Sequence, residues 1–518
     1  MSKPRLIAPR EHGQILAVPA FDQISLLLEH NQDGRRSVNT CQVSKLGKSL
    51  NGVRELARRE VLAASARYHH ISGEHVPEVV SESWFVAGHQ PELFHPGVWF
   101  KNFVLHHLAR KHGAVALNLV VDTDTAKPAI LQVPAEGRLM RVPYDRSSVE
   151  TPYEERPVED EELFASFAER LTAMTSTWGF EPMVASFWRE VLKQAVRTRN
   201  LGERFAAARR TLERRWGVVQ PELPMSRVCQ TEAFAYFLTA ILTDLPRFHN
   251  IYNQTVHEYR ALHGIRSRNH PVPDLASDGD WLEAPFWAWR QGQSRRDRLF
   301  VRRSSSSWTL RIGNVDGPTI PADDLAALTG LESQGLKIRS RALTTTMFAR
   351  LFLADLFIHG IGGGIYDELT DRILERFYGI PAPSFLTVSA TVLLPLPRFP
   401  EAASQVVELS RKARDLIYKP ELFVAGNKQT ESLLHNKLEW IQRNVATHAE
   451  RVQRFEQIRG INARLLPYVS PQPREVEDGL KECRQKAEWD KVAGRRDYSF
   501  CLYPEEMLRA FFERSAAP

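Results

Sequence analysis

Between Gly88 and Asn102 the chain reads GHQPELFHPGVWFKN, which sets two imidazoles (His89, His95), an amide (Gln90) and an amine (Lys101) around Gly88 and Gly97. An apolar run precedes this segment and a helical pattern follows it, so the turn leaves a strand and enters a helix. The first N–H groups of that helix and the positive end of its dipole would face the carboxyl edge of the strand, where anions bind readily. His89, His95 and Lys101 would add donors to phosphate oxygens. The missing side chain at Gly97 would let a phosphate or a flat purine approach the backbone. The competing reading is structural, with both histidines capping turn carbonyls.

Three further groups could do chemistry. Asp122-Thr123-Asp124 follows an apolar run, and paired carboxylates at the end of a strand could bind Mg²⁺, hold an amine or grip ribose hydroxyls; Asp and Thr also serve turns and helix caps. Gly360 to Gly364, followed by Tyr366-Asp367, offers a flexible loop into a helix, suited to close approach of a nucleotide or a carboxylate, or simply to a tight turn. Asn253, His257, Tyr259, Arg260, His263 and His270 could line a substrate pocket, although their spacing specifies no three metal ligands on one face.

Several familiar signatures fail on a single residue. Gly47-Lys48-Ser49 would end a P-loop, but Gln42 stands where the first glycine must be. His257-Glu258 opens like HExxH, yet Ala261 takes the place of the second histidine. Cys41, Cys229, Cys483 and Cys501 form no CxxC pair, which suits free thiols and a reducing compartment.

The elements that must position these residues follow from hydrophobic periodicity. Lys48 to Tyr68 is amphipathic, Trp84 to Ala87 and Ala114 to Val121 are strand-length apolar runs, and a helical pattern from Val98 to Ala109 lies between them, which makes a βαβ unit. Residues 1–150 thus read as the first half of a core, and 151–340 as a mainly helical region with a small β insertion around Phe300-Val301 and Trp308 to Ile312. Within that insertion Trp281, Phe286, Trp287 and Trp289 read as a packing plug. Residues 341–400 read as the second half of the core, with Leu343 to His359 helical and Ala390 to Leu396 β-like. In 401–470 Leu434, Leu438, Ile441, Val445, His448, Val452 and Phe455 recur in steps of four and three, the seam of a coiled coil or long helical hairpin started by Asn427, with Ala402 to Tyr418 alongside. Residues 471–518 read as a strand-helix tail, the strand being Tyr498 to Tyr503 around a buried Cys501.

The segment AGHQPELFHPGVWFKN resembles the TGQQ-x-x-LF-x-GP-x-Y-x-x-x-K motif of the bacillithiol-biosynthesis cysteine-adding enzymes. The stretch from Arg350 to Ser389, with its Gly-rich turn, YDE and YGIPAP, is similar to a second conserved stretch of that family. The resemblance implies a Rossmann-like α/β core of the class I aminoacyl-tRNA synthetase and nucleotidylyltransferase kind, with an inserted α+β region and a C-terminal coiled-coil arm. In such a core an HxGH loop binds ATP phosphates; His95-Pro96-Gly97-Val98 retains HxG and lacks the second histidine, and Thr387-Val388-Ser389 is the positional counterpart of a KMSKS signature. On this view His95, Lys101, Asp122 and Asp124 would be catalytic. Gly88, His89, Gln90, Gly97, Gly362, Gly363 and Gly364 would hold ATP, with Mg²⁺ nearby. Asn253, His257, Tyr366 and Asp367 would touch substrate.

The expected activity is therefore an ATP-dependent ligase or nucleotidyl transferase that joins an activated carboxylate to an amine. The alternatives are a non-catalytic nucleotide- or metabolite-binding dimer and an RNA-associated relative of the synthetases. The last would need Arg209, Arg210, Arg214 and Arg215 to form an exposed stripe. With 68 Lys and Arg against 62 Asp and Glu over 518 residues, the surplus of +6 is too thin to imply nucleic acid. Charges within Met347 to Tyr366 exclude a membrane span there, and the first residues lack a signal-peptide core. The expectation is a cytoplasmic homodimer, joined through the helical arm and acting on a small molecule.

Overall fold

In the computed structural model, residues 6–36, 48–76, 80–135, 137–146, 150–322, 324–426 and 428–516 are described. Asn427 as a helix cap, and Cys41, Gln42 and Gly47, lie outside them. The apolar runs pair into one six-stranded sheet: β1 (Ile15–Val18), β2 (Trp84–His89), β3 (Val115–Val120), β4 (Glu222–Pro224), β5 (Leu356–His359) and β6 (Phe385–Ala390). The order is β1-β6-β5-β2-β3-β4, with every pairing parallel except that of β1 with β6. Winding out from β2, the chain adds β3 and β4 on one side, then returns to the other side for β5 and β6.

Alternation along each strand assigns its faces. Trp84, Val86, Val115, Leu117 and Leu119 share one apolar cluster with α1 (Leu50–Ile71) and with the helices Glu232–Thr243 and Leu245–Leu262. Phe85 and Ala87 point the other way, towards α2 (Pro96–Lys111), whose Trp99 and Phe103 stack with Trp216, Phe500 and Phe512. Fully buried strands of this kind read as continuous apolar runs because both faces are covered. A second, antiparallel sheet from Trp281–Arg290, Asp297–Arg303, Ser307–Ile312, Val315–Pro321 and Leu336–Ser340 joins the same cluster. Its Phe286 and Trp289 are buried, as a packing plug requires.

Several boundaries differ from expectation, each for a local reason. Leu343 to His359 is not one helix: Ala342–Phe348 runs into a π-helical turn at Ala349–Leu353, and the chain then extends as β5. The glycines after it do not form a loop but open a helix, α4 (Ile361–Ile373), with Gly360 as its N-cap. The strand near Ala390 lies earlier, at β6, because these are the residues that register with β5 and β1. Tyr498 to Tyr503 contains a 3₁₀ turn at Phe500–Leu502 in place of a strand, with Cys501 buried inside it.

The chain divides into two compact units, one of residues 1–132, 141–393 and 496–518, the other of 133–140 and 394–495. In the second, Ala402–Tyr418 packs on Pro473–Ala493, and Lys428–Gln442 packs on His448–Leu465. The expected long seam is interrupted. Thr447 caps a new helix, its hydroxyl accepting from Glu450 N–H while the Glu450 carboxylate accepts from Thr447 N–H, and Val445 sits in the break. The coiled coil is thereby replaced by two short helices that fold on one another, and Leu438, Ile441, Val452 and Phe455 remain 42–58% exposed.

Candidate functional site

The carboxyl ends of the parallel strands carry His89 at the end of β2, Asp122 after β3, Ser226 after β4 and His359 at the end of β5. Ligands of parallel α/β sheets bind outside these ends, near the point where the winding reverses, here between β2 and β5.

The Gly88 to Lys101 segment is drawn into the protein. Lys101 is buried and donates from Nζ to Gly88 O at 2.7 Å; burial lowers its ammonium to about 8. His89 is buried with its ring edge-on to Phe94, and its Nδ1 has no partner among the described residues. Burial first, then the charges of Lys101 and Arg209, hold it well below its ordinary range, so it is neutral. His95 is the N-cap of α2: its Nδ1 accepts from Gly97 N at 3.1 Å, which places the proton on Nε2. Burial, with the Arg496 charge, lowers His95 to about 4. Gly97 is small because a Cβ there would collide with Ala390 O of β6 and lie 2.8 Å from the Arg496 guanidinium. Gly88 likewise faces Leu119, with its backbone oxygen 3.1 Å from a notional Cβ.

This segment does not fit the triphosphate implied by the resemblance. The N–H groups of Gly97, Val98 and Trp99 are taken by His95, the Lys101 amine by Gly88, and the space over Gly97 by β6 and Arg496. Gln90 donates to Asp124 Oδ2 at 2.8 Å, and Asp124 Oδ1 accepts from Arg296, whose guanidinium lies over Trp287. Asp124 thus locks the loop to the second sheet. Among the described residues no group of three or more His, Cys, Asp or Glu side chains could hold a metal ion.

Asp122 is different. It is 8% exposed and opens onto a cavity of about 340 Å³ lined by Ser226, Glu154, Lys337, Arg227 and Glu203. Ser226 donates its N–H to Oδ1 at 2.9 Å and its hydroxyl to Oδ2 at 2.5 Å. Burial, with the nearby Glu154 charge, pushes the Asp122 carboxyl up to about 7 against the pull of Ser226 and Arg339. Glu154 is itself held by Arg339 at 2.9 and 3.0 Å and by Lys337 at 3.3 Å, so the wall beside Asp122 is fixed. Arg227 lies over the Tyr68 ring on the same cavity, 3.9 Å from Glu203. The sequence marked Asp122 but not Ser226, Glu154 or Lys337, which reach it from 32 to 215 positions away.

Most of the remaining candidates make structural contacts. Asp367 is buried and accepts from Arg350 at 2.5 Å, His359 Nε2 at 2.8 Å and Thr346 at 2.8 Å. Burial alone would raise it, but the Arg350 and His359 charges hold it well below the usual carboxylate range. Gly363 accommodates His359, whose Nδ1 would stand 2.6 Å from a Cβ there, Gly364 meets Thr387, and Gly362 has open space. Thr387 and Ser389 are buried within β6, and Ser389 accepts from Arg496 at 2.8 Å. Asn253 brackets Leu275 through its N–H and carbonyl, and His257 meets Asp274 at 3.2 Å. Arg260 holds the carbonyls of Arg268, His270 and Val272, so this helix face anchors a loop. Tyr366 meets the His270 ring edge-on. Tyr259 and His263 line a separate groove of about 1020 Å³ with Gly364 and Glu368.

The basic run on α3 (Leu201–Arg215) forms no exposed stripe. Arg209 and Arg210 are 5% and 4% exposed and pair with Glu213, Glu222 and Glu74. Arg214 also reaches Glu74, at 2.8 Å. No helix among the described residues is long and apolar enough to cross a membrane.

Compared with protein-family models and with curated proteins, the chain matches none.

Proposed function

We propose that this protein is an enzyme that forms a carbon–nitrogen bond to a small amine held in the Asp122 cavity, a ligase-like reaction of the kind its resemblance to the cysteine-adding enzymes implies. The observation that carries this reading is a buried carboxyl, brought to about 7, facing an open polar cavity at the carboxyl edge of a parallel sheet. The strand order β6-β5-β2-β3-β4 supports a Rossmann-like doubly wound core, with the cavity beside β3 and β4.

In this reading Asp122 takes a proton from the substrate ammonium, and the freed amine lone pair attacks the carbonyl carbon of an activated carboxylate donor, so that the N–C bond forms as the bond from that carbon to its activating group breaks and the group leaves with the electron pair. A carboxylate near pH 7 is suited to that transfer, since part of it is ionised and its basicity matches neutral solution. Ser226 fixes both oxygens, which orients the lone pair that receives the proton. Arg227 and Lys337 supply positive charge for a carboxylate or phosphate oxygen of the donor. ATP dependence is expected from the resemblance.

A panel of amine metabolites, with donors and nucleotide supplied, would be assayed for coupled product by mass spectrometry. Asp122→Asn is expected to lower product formation by about 10²–10⁴-fold while amine-induced thermal stabilisation persists. Undiminished turnover in Asp122→Asn would sink the assignment. The second reading, a metabolite-binding protein without turnover, is favoured by the internal capture of the Gly88 to Lys101 donors. It predicts stabilisation by ligand and no product from the wild type.

The exposed Leu438, Ile441, Val452 and Phe455 suit a second copy of the chain, and the proposal includes a homodimer through these helices. Sedimentation velocity tests it: Phe455→Glu should shift a dimer to monomer, and a monomeric wild type removes the dimer from the proposal.

A further inference from the structure

At the opposite, amino-terminal edge of the sheet, Arg35, Arg54 and Arg58 converge on a single carboxylate, Asp355, at the foot of β5. Arg54 and Arg58 each lie 2.7 Å from it, Arg35 closes on it as well, and the N–H of Trp84 donates to it. Arg54 and Arg58 follow from sequence, one helical turn apart on the face of α1 that meets Asp355. Their other donors go to the carbonyls of Leu351, Leu353, Ala354 and Glu82. Arg35 and Arg59 line a cavity of about 720 Å³; Arg35 Nη2 is enclosed and without a partner, and Arg59 has none among the described residues. Arg36, Asn51, Ser81 and Ser83 line the same cavity.

One carboxylate cannot neutralise three guanidinium groups, and burying surplus charge is costly unless an opposite charge returns it. Burial lowers Arg35 to about 10 and Arg58 to about 9, the latter with help from the Arg35 charge. Glu55 and Glu82 also line the cavity, which leaves arginine the more numerous group on its wall. Guanidinium forks match phosphate as well as carboxylate oxygens through paired N–H donors, and a phosphate-bearing polyanion brings the larger compensating charge. The enclosure of Arg35 Nη2 favours a ligand small enough to enter over a polymer that would lie across the surface.

We propose that this cavity binds a small phosphate-bearing polyanion, with Arg35 and Arg59 as its free donors and Arg58 as the fixed floor. The site is distinct from the Asp122 cavity and does not depend on the function assigned there.

Isothermal titration with inorganic pyrophosphate, at constant ionic strength set by NaCl, tests it. Binding is expected for the wild type and for Asp122→Asn alike. Arg35→Gln and Arg59→Gln are each expected to weaken it by roughly tenfold, as for loss of one charge-assisted hydrogen bond. Arg59 is exposed, so Arg59→Gln remains informative if Arg35→Gln is unstable. No binding above the NaCl control would overturn the proposal, as would unchanged affinity in Arg59→Gln. Tighter binding of a single-stranded oligonucleotide than of pyrophosphate would also overturn it, by making the arginines a polymer surface.

Discussion

Two buried aspartates with opposite environments show how the same side chain becomes either reactive or inert. Asp367 is paired with Arg350 and His359, and removing its charge by Asp367→Asn should cost roughly 3–5 kcal/mol, because the guanidinium is left buried with less compensation. Its folded pKa is depressed, so its contribution is complete above the ordinary carboxyl range, begins to fall as pH drops below about 4 and is lost only as pH passes through the lowered folded value. Urea denaturation at pH 7 and pH 3.5 should show the deficit of the variant shrinking in acid. Asp122 has the reverse sign. Its folded pKa is raised, so its share of stability is complete below pH 4 and is lost as pH rises to about 7. Asp122→Asn should therefore gain in melting temperature relative to wild type between pH 5 and pH 8, by an amount corresponding to a few kcal/mol at most. Both aspartates were legible in the sequence as candidates, but their roles were not. Arg350 and Thr346 lie 17 and 21 residues before Asp367, and Ser226 lies 104 after Asp122; no local pattern announces which carboxylate will meet a cation and which will meet a hydroxyl.

At the level of elements, strands and helices with continuous or amphipathic apolar patterns were legible: β2, α2, β3 and α1 lie where periodicity places them, because covering both faces of a parallel sheet leaves little choice of residue type. The errors fall where a break is set by a single contact. The seam through Leu434 to Phe455 keeps its spacing across residues 443–447, yet Thr447 and Glu450 restart the helix there; that capping pair was a readable signal outweighed by the stripe. Gly97 was correctly singled out as a place of close approach, and the approaching group is the strand carbonyl of Ala390 in place of a ligand. Gly97→Ala should then destabilise the fold by about 1–3 kcal/mol or more, as overpacking does, and do so equally with and without nucleotide. A urea midpoint unchanged by the substitution would show that α2 and β6 can separate freely.

For the whole molecule, the two compact units differ in what holds them. The first has an apolar cluster that runs from α1 through the sheet to the second sheet, and on the sheet's other face the buried rings of Trp99, Phe103, Phe500 and Phe512, whereas within the second unit Leu416, Val469 and Val476 form a small core joined by partly buried Leu409, Ala413, Phe423 and Val424. Local stability follows buried apolar contact. Hydrogen exchange should therefore reach the amides of Lys428–Gln442 and His448–Leu465 well before those of β2 and β3, and uniform protection across both units would contradict this. The order of the sheet also has a consequence during synthesis. Trp84 to His89, apolar on both faces, is made early, but its neighbour on one side, β5, is more than 260 residues further on. At ribosomal speeds of about 5–20 residues per second, that flank of the strand waits for roughly tens of seconds. A nascent chain of this protein is thus expected to need a holding chaperone over that interval, and arrested chains ending near residue 340 should aggregate where chains extended past residue 390 do not.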